Sequence, residues 1–432
     1  MYMRACCCFL AVAVGLEFSA LELSADESIK NQVAKDIKNE RYDHLGRLLR
    51  HNVGKKLSLA SLKAMAKKRD AKPLLNAIDA TSSIKKYHTN LDCKSPELLQ
   101  TALFIETTLP AYAKKHKYYL SKQRTGLAHT VEYDPTHDTT FIVLDGKKNY
   151  IGKGKKKTVH KAIHYTHSHP KVVARAVDQV KHSREHSLTK KLHGSPGIYT
   201  TVGFGKNTKG GKPYSTIYSK LYRPGSLQDA LDKKYRLSTY EKMKVACDIL
   251  EGLYSLHKNG IVHRDLGARN HFIDIPRGKP GRRKVSASIA DLGRSTYAVR
   301  AADTKVQGNT TYTAPEGLYR KKLKGQDYYK TDVFAVGCVL YRLFYNKKAP
   351  WQEKSYVKDT KRSLYSRYKS MRHAIKRASK ARRTHLATKR TKLTPREEFE
   401  LLVLRMVHTD PAKRGTAKEL SAKMKKIFER VQ

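Results

Sequence analysis

The chain has 432 residues, about three times a typical domain length, which predicts two domains or one large domain with an extension. It carries 88 Lys and Arg against 38 Asp and Glu, a net charge of +50. Because 39% of the residues are hydrophobic, including many Tyr and Phe, the composition excludes a wholly disordered polycation. The charge predicts attraction to nucleic acid, anionic lipid, acidic proteins or nucleotides, unless it only reflects a basic proteome.

The N-terminus, residues 1–24, resembles a weak secretory signal, with Arg4 ahead of an apolar run over residues 5–16. The run is shorter than the roughly 20 apolar residues of a membrane span. An acylated cysteine cluster or a short buried terminal segment are the alternatives. The six cysteines show neither zinc-site nor disulfide spacing, which favours a reducing compartment.

Residues 25–128 are predicted to form a helical extension. Apolar side chains recur at three- and four-residue steps from residue 28, again over 57–78 and again over 98–119. No catalytic combination of residues stands out in this extension.

The domain over residues 129–432 begins with strand patterns. Residues 130–133 and 139–144 are β-branched and aromatic, which predicts a hairpin, and strand patterns continue to about Val177. After Leu227 the patterns are mainly helical. The predicted fold class is therefore α+β, with a small sheet-rich lobe, a larger helical lobe and a cleft between them.

The sharpest signal is a run of eight residues, His263-Arg264-Asp265-Leu266-Gly267-Ala268-Arg269-Asn270. It is followed by Asp291-Leu292-Gly293 and then by Ala314-Pro315-Glu316. In this order and spacing the motifs resemble the catalytic core of eukaryotic-type protein kinases. The resemblance implies a bilobal protein kinase-like fold over residues 129–432.

The resemblance also implies a chemistry, the transfer of the γ-phosphate of ATP to protein hydroxyls. Asp265 would take the proton of the acceptor hydroxyl, and Arg269 follows it in the catalytic loop. Asn270 and Asp291 would hold Mg²⁺, which prefers hard oxygen ligands. Leu292 replaces the usual Phe with another apolar side chain.

Nucleotide-binding positions are implied upstream. Gly152 and Gly154 would form the glycine-rich hairpin over the phosphates, and Arg175 stands where the family has a phosphate-binding lysine. The full set implied for ATP is Ile151, Gly152, Gly154, Val159, Arg175, Glu185 (as the partner of Arg175), Leu221 and Tyr222. Since Arg and Lys are not interchangeable at such a site, a pseudokinase scaffold that binds partners without phosphotransfer is the alternative.

Acceptor specificity is predicted as Ser/Thr, with tyrosine or dual specificity left open. Gly267 and Asn309 replace residues typical of Ser/Thr kinases, whereas Gly308 and Tyr312 keep that pattern. Arg269 is typical of many tyrosine kinases.

Three further features complete the prediction. Asp332 is expected to tether the catalytic-loop backbone, and Arg414 to pair with Glu316. Residues 360–396 contain 14 Lys or Arg and no acid, which predicts either a solvated face or a contact for polyanions or acidic protein substrates. No recognition of DNA sequence is expected. The expected location is a cytoplasm, which for an exported effector would be that of a host.

Overall fold

The structure is a computed structural model, and it describes residues 27–53, 55–83, 96–115, 131–134, 137, 139–144, 147–153, 157–165, 170–178, 184–209, 212–301, 310–319, 323, 327–352, 363–388 and 392–431. The chain divides into two compact units. The first contains the chain up to Lys181 and Val202–Tyr218, and the second contains His182–Thr201 and Ser219–Gln432. The signal-like segment 1–24 lies outside the described residues.

The helices of the first unit pack in two apolar clusters, a larger one shared by the first five helices and a smaller one that contains Leu109 of the sixth. They are α1 (27–38), α2 (Tyr42–Asn52), α3 (Leu59–Lys68), α4 (Lys72–Ser83), α5 (Pro96–Thr107) and α6 (Leu109–Lys115). Their core side chains include Val33, Leu45, Leu49, Leu62, Leu74 and Leu103, all fully buried. The helical periodicity of the extension therefore reflects packing, as expected.

The predicted helical segments 57–78 and 98–119 each contain a pair of helices. The first is interrupted at Asp70, whose φ of 48° cannot continue a right-handed helix. The second is interrupted at Thr108, two residues before Pro110, whose ring nitrogen has no hydrogen to donate to the preceding turn. Apolar periodicity alone did not reveal these breaks.

The same unit contains a seven-stranded sheet. Its strands are β1 (Val131–Asp134), β2 (Thr139–Val143), β3 (Tyr150–Lys153), β4 (Lys157–Tyr165), β5 (Lys171–Asp178), β6 (Thr201–Lys209) and β7 (Lys212–Lys220). The order is β1-β2-β4-β5-β7-β6, and β3 pairs with β4 beyond the end of β2. The predicted hairpin is confirmed as β1 and β2, and its sheet packs on the extension, where the rings of Phe104 and Tyr165 stack 4.3 Å apart.

The second unit is mainly helical. Its helices are α7 (Arg184–Lys191), α8 (Leu227–Asp232), α9 (Thr239–Lys258), α10 (Ala298–Ala301), α11 (Pro315–Tyr319), α12 (Asp327–Tyr345), α13 (Leu364–Ala387), α14 (Pro395–Met406) and α15 (Ala417–Glu429). Short strands β8 (Pro224–Ser226), β9 (Ile261–Val262), β10 (His271–Asp274), β11 (Ser286–Ile289) and β12 (Thr296–Tyr297) connect them. The expected division into a sheet-rich part and a helical part is confirmed. Among the described residues, no helix is long and apolar enough to cross a membrane.

A buried carboxylate fixes the start of α9. Glu241 accepts hydrogen bonds from the Ser238 N–H at 2.9 Å and from Nε of Arg283 at 2.7 Å, as well as from the Gly281 N–H at 3.2 Å. Burial alone would raise the pKa of Glu241, but these hydrogen bonds outweigh it and lower the pKa to about 2. The helix start and the loop before β11 are thus held by one charge.

Candidate active site

The catalytic loop of the second unit is held by Asp332 on helix α12. The carboxylate of Asp332 accepts the backbone N–H of His263 at 2.7 Å and that of Arg264 at 2.9 Å. Arg264 has a φ of 66°, a conformation that needs such support in a residue other than glycine. The predicted tether is confirmed, and it fixes the backbone one residue before Asp265.

His263 connects the loop to the segment of Asp291. Its Nε2 lies 3.0 Å from the Ala290 carbonyl oxygen, which can only accept, so Nε2 carries the proton. Its Nδ1 then accepts the backbone N–H of Asp265 at 3.3 Å. One imidazole therefore orients the segments of both Asp265 and Asp291.

The Asp265 carboxylate is largely buried, with 19% of the side chain exposed, and it pairs with Arg294 at 3.3 Å. The backbone oxygen of Arg294 also accepts a hydrogen bond from Nε of Arg264 at 2.9 Å. Arg294, which directly follows Asp291-Leu292-Gly293, was not predicted as a site residue. Its place one residue after this motif was the available signal.

Asn270 and Asp291 suit a divalent cation. The side-chain amide nitrogen of Asn270 donates to the Asp265 carbonyl at 2.7 Å, which leaves its amide oxygen as an acceptor. Asp291 is exposed, with a φ of 59°, next to the fully buried Leu292. The Ala290 N–H donates to the Asn270 carbonyl at 2.9 Å, so the two candidate ligands lie on adjacent segments. Hard oxygen donors of this kind fit Mg²⁺.

Glu185 of helix α7 is buried beside the Asp291 segment. A Cβ added to Gly293 would lie 3.1 Å from Oε2 of Glu185 and 3.2 Å from Oδ1 of Asp291. Both carboxylates therefore border the backbone of Gly293. Burial and these two charges together raise the pKa of the neighbouring Tyr199.

Arg175 lies on β5 of the first unit, where its guanidinium contacts Glu132 and donates from Nε to the Tyr218 hydroxyl at 3.3 Å. Burial opposes its charge, but Glu132 and Tyr218 outweigh that effect and raise the pKa of Arg175. Sequence reasoning missed Glu132 as its partner. The predicted pairing with Glu185 stays a prediction.

The glycine-rich hairpin is formed by β3 and β4, with Gly152 opposite Val159. A Cβ at Gly152 would meet no described atom within 4 Å, so this backbone faces open space. Ile151 is 43% exposed and Val159 is half-buried. Gly154 lies outside the described residues.

Leu221 and Tyr222 follow β7 in the second unit. Leu221 is half-buried, and the Tyr222 side chain is buried, accepting the Thr200 N–H at 3.0 Å and lying 3.2 Å from the Ser288 hydroxyl. The Tyr222 ring is therefore part of the core, which leaves its backbone as the part that could hydrogen-bond a nucleotide base.

Two further residues lie within the catalytic loop. Arg269 is exposed on the 3₁₀ turn Ala268–Asn270. Gly267 is buried, and a Cβ there would approach the Tyr312 ring to 3.1 Å. Tyr312 thus covers the position at which Ser/Thr kinases carry a lysine.

The predicted ion pair between Arg414 and Glu316 is confirmed. Nη2 of Arg414 lies 2.8 Å from Oε2 of Glu316, and Nη1 lies 2.5 Å from Oε1, a bidentate arrangement. Arg414 is fully buried and also donates to the carbonyl oxygens of His408 and Lys330. This pair holds the Ala314-Pro315-Glu316 segment in the core.

The family model of the protein kinase domain matches residues 146–424, well over half of the chain. The chain therefore belongs to the protein kinase family, whose members use ATP and a divalent metal ion and act on protein substrates.

Curated relatives support this assignment at low identity. Mitogen-activated protein kinase kinase kinase 17 of Arabidopsis thaliana is 28% identical over 220 residues, covering 50% of this chain and 55% of the relative. A probable LIM domain-containing serine/threonine-protein kinase of Dictyostelium discoideum is 32% identical over 148 residues, covering 34% of this chain and 21% of the relative. Serine/threonine-protein kinase STY46 of Arabidopsis thaliana is 32% identical over 142 residues, covering 31% and 22%. The aligned part thus spans about a fifth to about half of these relatives.

Proposed function

We propose that this chain is an active protein kinase that transfers the γ-phosphate of MgATP to Ser or Thr hydroxyls of proteins. The observation that supports this most directly is that Asp265, Asn270 and Asp291 lie on adjacent hydrogen-bonded segments, which Asp332 and His263 orient. A scaffold that only bound partners would not require the proton acceptor and the two oxygen ligands together. Because the reaction consumes ATP, we propose a cytoplasmic site of action, in the chain's own cell or in a host.

Asp265 would act as the proton acceptor. As the substrate hydroxyl oxygen bonds to the γ-phosphorus, its proton passes to the Asp265 carboxylate, the bond to the bridging oxygen breaks and ADP leaves. Asn270 and Asp291 would hold Mg²⁺, which neutralises phosphate oxygens when bound. Arg294 would keep the Asp265 carboxylate oriented through its ion pair at 3.3 Å.

The nucleotide would bind through the residues that the family resemblance implies. The proposed set is Ile151, Gly152, Gly154, Val159, Arg175, Glu185 and the backbone of Leu221 and Tyr222, with Arg269 assisting in the catalytic loop. The open space around Gly152 supports close approach of a phosphate to the hairpin backbone.

Transfer of radiolabelled γ-phosphate to a generic substrate tests the enzyme proposal. We expect labelling by the wild type and its loss in Asp265→Asn, which removes the proton acceptor. Asp232→Asn is the matched control, because it removes the same charge from an exposed side chain of the same unit. If the wild type labels nothing above the Asp265→Asn background, the scaffold alternative replaces the enzyme.

Acceptor specificity is a separate measurement. We propose Ser/Thr transfer, supported by Tyr312 packed over Gly267 beside the Asp265 pocket. Phosphoamino acid analysis of labelled substrate should show phosphoserine and phosphothreonine. Phosphotyrosine as the main product would instead favour tyrosine specificity, which Arg269 suggests.

We also propose that acidic segments of protein substrates dock in a basic groove. This groove, of about 520 Å³, lies between helix α13 and residues 408–413. Its lining residues are Arg372, Ile375, Lys376, Ser379, Lys380, Thr384, His408, Thr409, Asp410 and Lys413. Lys376, Lys380 and Lys413 are exposed, and none has a carboxylate partner in the part of the chain that the structure describes.

The groove is tested by changing its three lysines to glutamine. We expect a higher KM for an acidic substrate, a weaker salt dependence and an unchanged kcat, because docking is separate from phosphate transfer. The control changes three of the exposed lysines of helix α15, Lys418, Lys423 and Lys426, and keeps Lys425, which pairs with Glu251. Equal effects of both triple changes would show that general positive charge, and not the groove, causes the effect.

A further inference from the structure

Strand β1 carries two buried carboxylates that lie next to β6, the strand at the opposite edge of the same sheet. Glu132 and Asp134 are 6% and 2% exposed. Asp134 accepts the backbone N–H of Phe204 at 2.8 Å, although β1 and β6 are the two ends of the strand order. The sheet is therefore curled until its edge strands nearly meet.

Two glycines of β6 make room for these carboxylates. A Cβ at Gly205 would lie 3.1 Å from Oε2 of Glu132, and one at Gly203 would overlap the Phe141 ring at 2.4 Å. A single residue, Phe204, separates these two glycines in the sequence. Any side chain at Gly203 would collide with the Phe141 ring. Glycine at this position therefore lets β6 pack closely against the interior side chains.

Inside the curled sheet, Glu132, Arg175 and Tyr218 form a closed triangle. Nη2 of Arg175 contacts Oε1 of Glu132, Nε of Arg175 donates to the Tyr218 hydroxyl at 3.3 Å, and that hydroxyl donates to Oε2 of Glu132. The Arg175 side chain is 12% exposed and Tyr218 is fully buried. The Glu132 carboxylate, the Tyr218 hydroxyl and the Nε and Nη2 groups of Arg175 thus satisfy one another, as burial requires.

The triangle uses only one edge of the guanidinium. Nη1 of Arg175 has no partner among the described residues, and it is not one of their buried unpaired polar atoms, so it reaches solvent. Arginine offers three nitrogens in a rigid fork, whereas lysine offers one. A lysine at this position could not hold Glu132 and Tyr218 and still present a free N–H group in a fixed direction.

We propose that Glu132 and Tyr218 are positioning residues for nucleotide binding, which hold Arg175 so that Nη1 is presented to a phosphate of ATP. The strand that precedes the matched kinase domain thereby supplies the counter-charge for the phosphate-binding cation. The orientation of Arg175 is then set within its own sheet and does not depend on Glu185. This inference rests on the proposed function, since it assigns Arg175 to the nucleotide.

The test measures MgADP binding by titration calorimetry and the KM for ATP against kcat. We expect Glu132→Gln to weaken MgADP binding and raise the KM for ATP, each by about tenfold or more, because a charge-assisted contact that orients the guanidinium is lost. Tyr218→Phe, which removes only a hydroxyl, should act in the same direction to a smaller extent. Arg175→Lys should weaken binding as Glu132→Gln does, and adding Glu132→Gln to it should cause little further loss.

Asp134→Asn is the matched control. It alters the other buried carboxylate of β1, which bonds Phe204 and His137 and has no described contact with Arg175. It should lower the melting temperature and leave MgADP affinity unchanged. Wild-type affinity in Glu132→Gln or Arg175→Lys, or an equal loss in Asp134→Asn, would overturn the inference. If Glu132→Gln does not fold, Tyr218→Phe decides by the same comparison.

Nucleotide binding and phosphotransfer are read separately. A wild type that binds MgADP but labels no substrate would contradict the proposed function. The effect of Glu132→Gln on MgADP binding would still decide whether Glu132 positions Arg175. A wild type that labels substrate with affinity independent of Glu132 and Tyr218 would contradict only the positioning.

Discussion

Asp332→Asn tests whether the catalytic loop depends on one buried carboxylate. Asp332 is 1% exposed and accepts the N–H groups of His263 and Arg264 at 2.7 and 2.9 Å. Hydrogen bonds to a charged group contribute about 1.5–3 kcal/mol each. Asparagine keeps one acceptor oxygen and turns an NH₂ group toward the other N–H, so we expect a loss of roughly 2–3 kcal/mol of unfolding free energy.

The same change should affect catalysis, because Asp265 directly follows the tethered residues. A displacement of the loop by about 1 Å can lower a rate on the order of a hundredfold. We therefore expect kcat for phosphotransfer to fall by about that factor, with a smaller change in the KM for ATP.

Urea unfolding and steady-state phosphotransfer measure the two effects, and Asp327→Asn is the control. Asp327 lies in the first turn of the same helix, α12, where an acid interacts favourably with the helix dipole by about 0.3–1 kcal/mol. Equal stability and equal kcat in Asp332→Asn and Asp327→Asn would show that the loop does not depend on Asp332. A loss of stability without a loss of kcat would show that the Asp332 contacts do not position Asp265.

Three further changes give distinct signatures. Because the pKa of Glu241 is lowered to about 2, its stabilisation is present above its unfolded pKa of about 4.3 and is lost as the pH falls through the folded value. Glu241→Gln should therefore cost roughly 3 kcal/mol at neutral pH and flatten the fall in stability between these pH values, measured by urea unfolding at each pH. Arg294→Gln should lower kcat by up to about fivefold, because it removes a partly exposed ion pair to Asp265; an increase in kcat would mean that the pair restrains the base. Gly267→Lys should lower the melting temperature, because its Cβ would press on the Tyr312 ring at 3.1 Å; an unchanged melting temperature would show that the ring moves aside freely.

The catalytic segment could be predicted from sequence because its functional groups lie in short contiguous motifs. Asp265 and Asn270 are five residues apart on one loop, and Asp291 follows the strand beside it. The supports contributed by Asp332 and Glu316 were also predictable, since each occupies a fixed place in a recognisable motif. Local order along the chain was enough to predict these contacts.

The helix breaks near Asp70 and Pro110 were less predictable. Apolar periodicity continues across both breaks, because both helices of each pair bury apolar side chains. A positive φ at an aspartate carries only a weak sequence signal. The proline did carry a signal, because its nitrogen cannot donate a hydrogen bond to the preceding turn.

The Glu132 contact could not have been predicted from local pattern. Glu132 and Arg175 are 43 residues apart and lie on strands that are not neighbours in the sheet. They meet only because the sheet curls, and the curl depends on Gly203 and Gly205, which look like ordinary strand interruptions in the sequence. A buried acid in an edge strand is nevertheless informative, because an isolated charge in the interior is costly and requires a partner. The alternation of β1 places Glu132 and Asp134 on the same face, so both acids require partners on that side. An arginine where the family has a lysine is the matching cation, and the two anomalies account for each other.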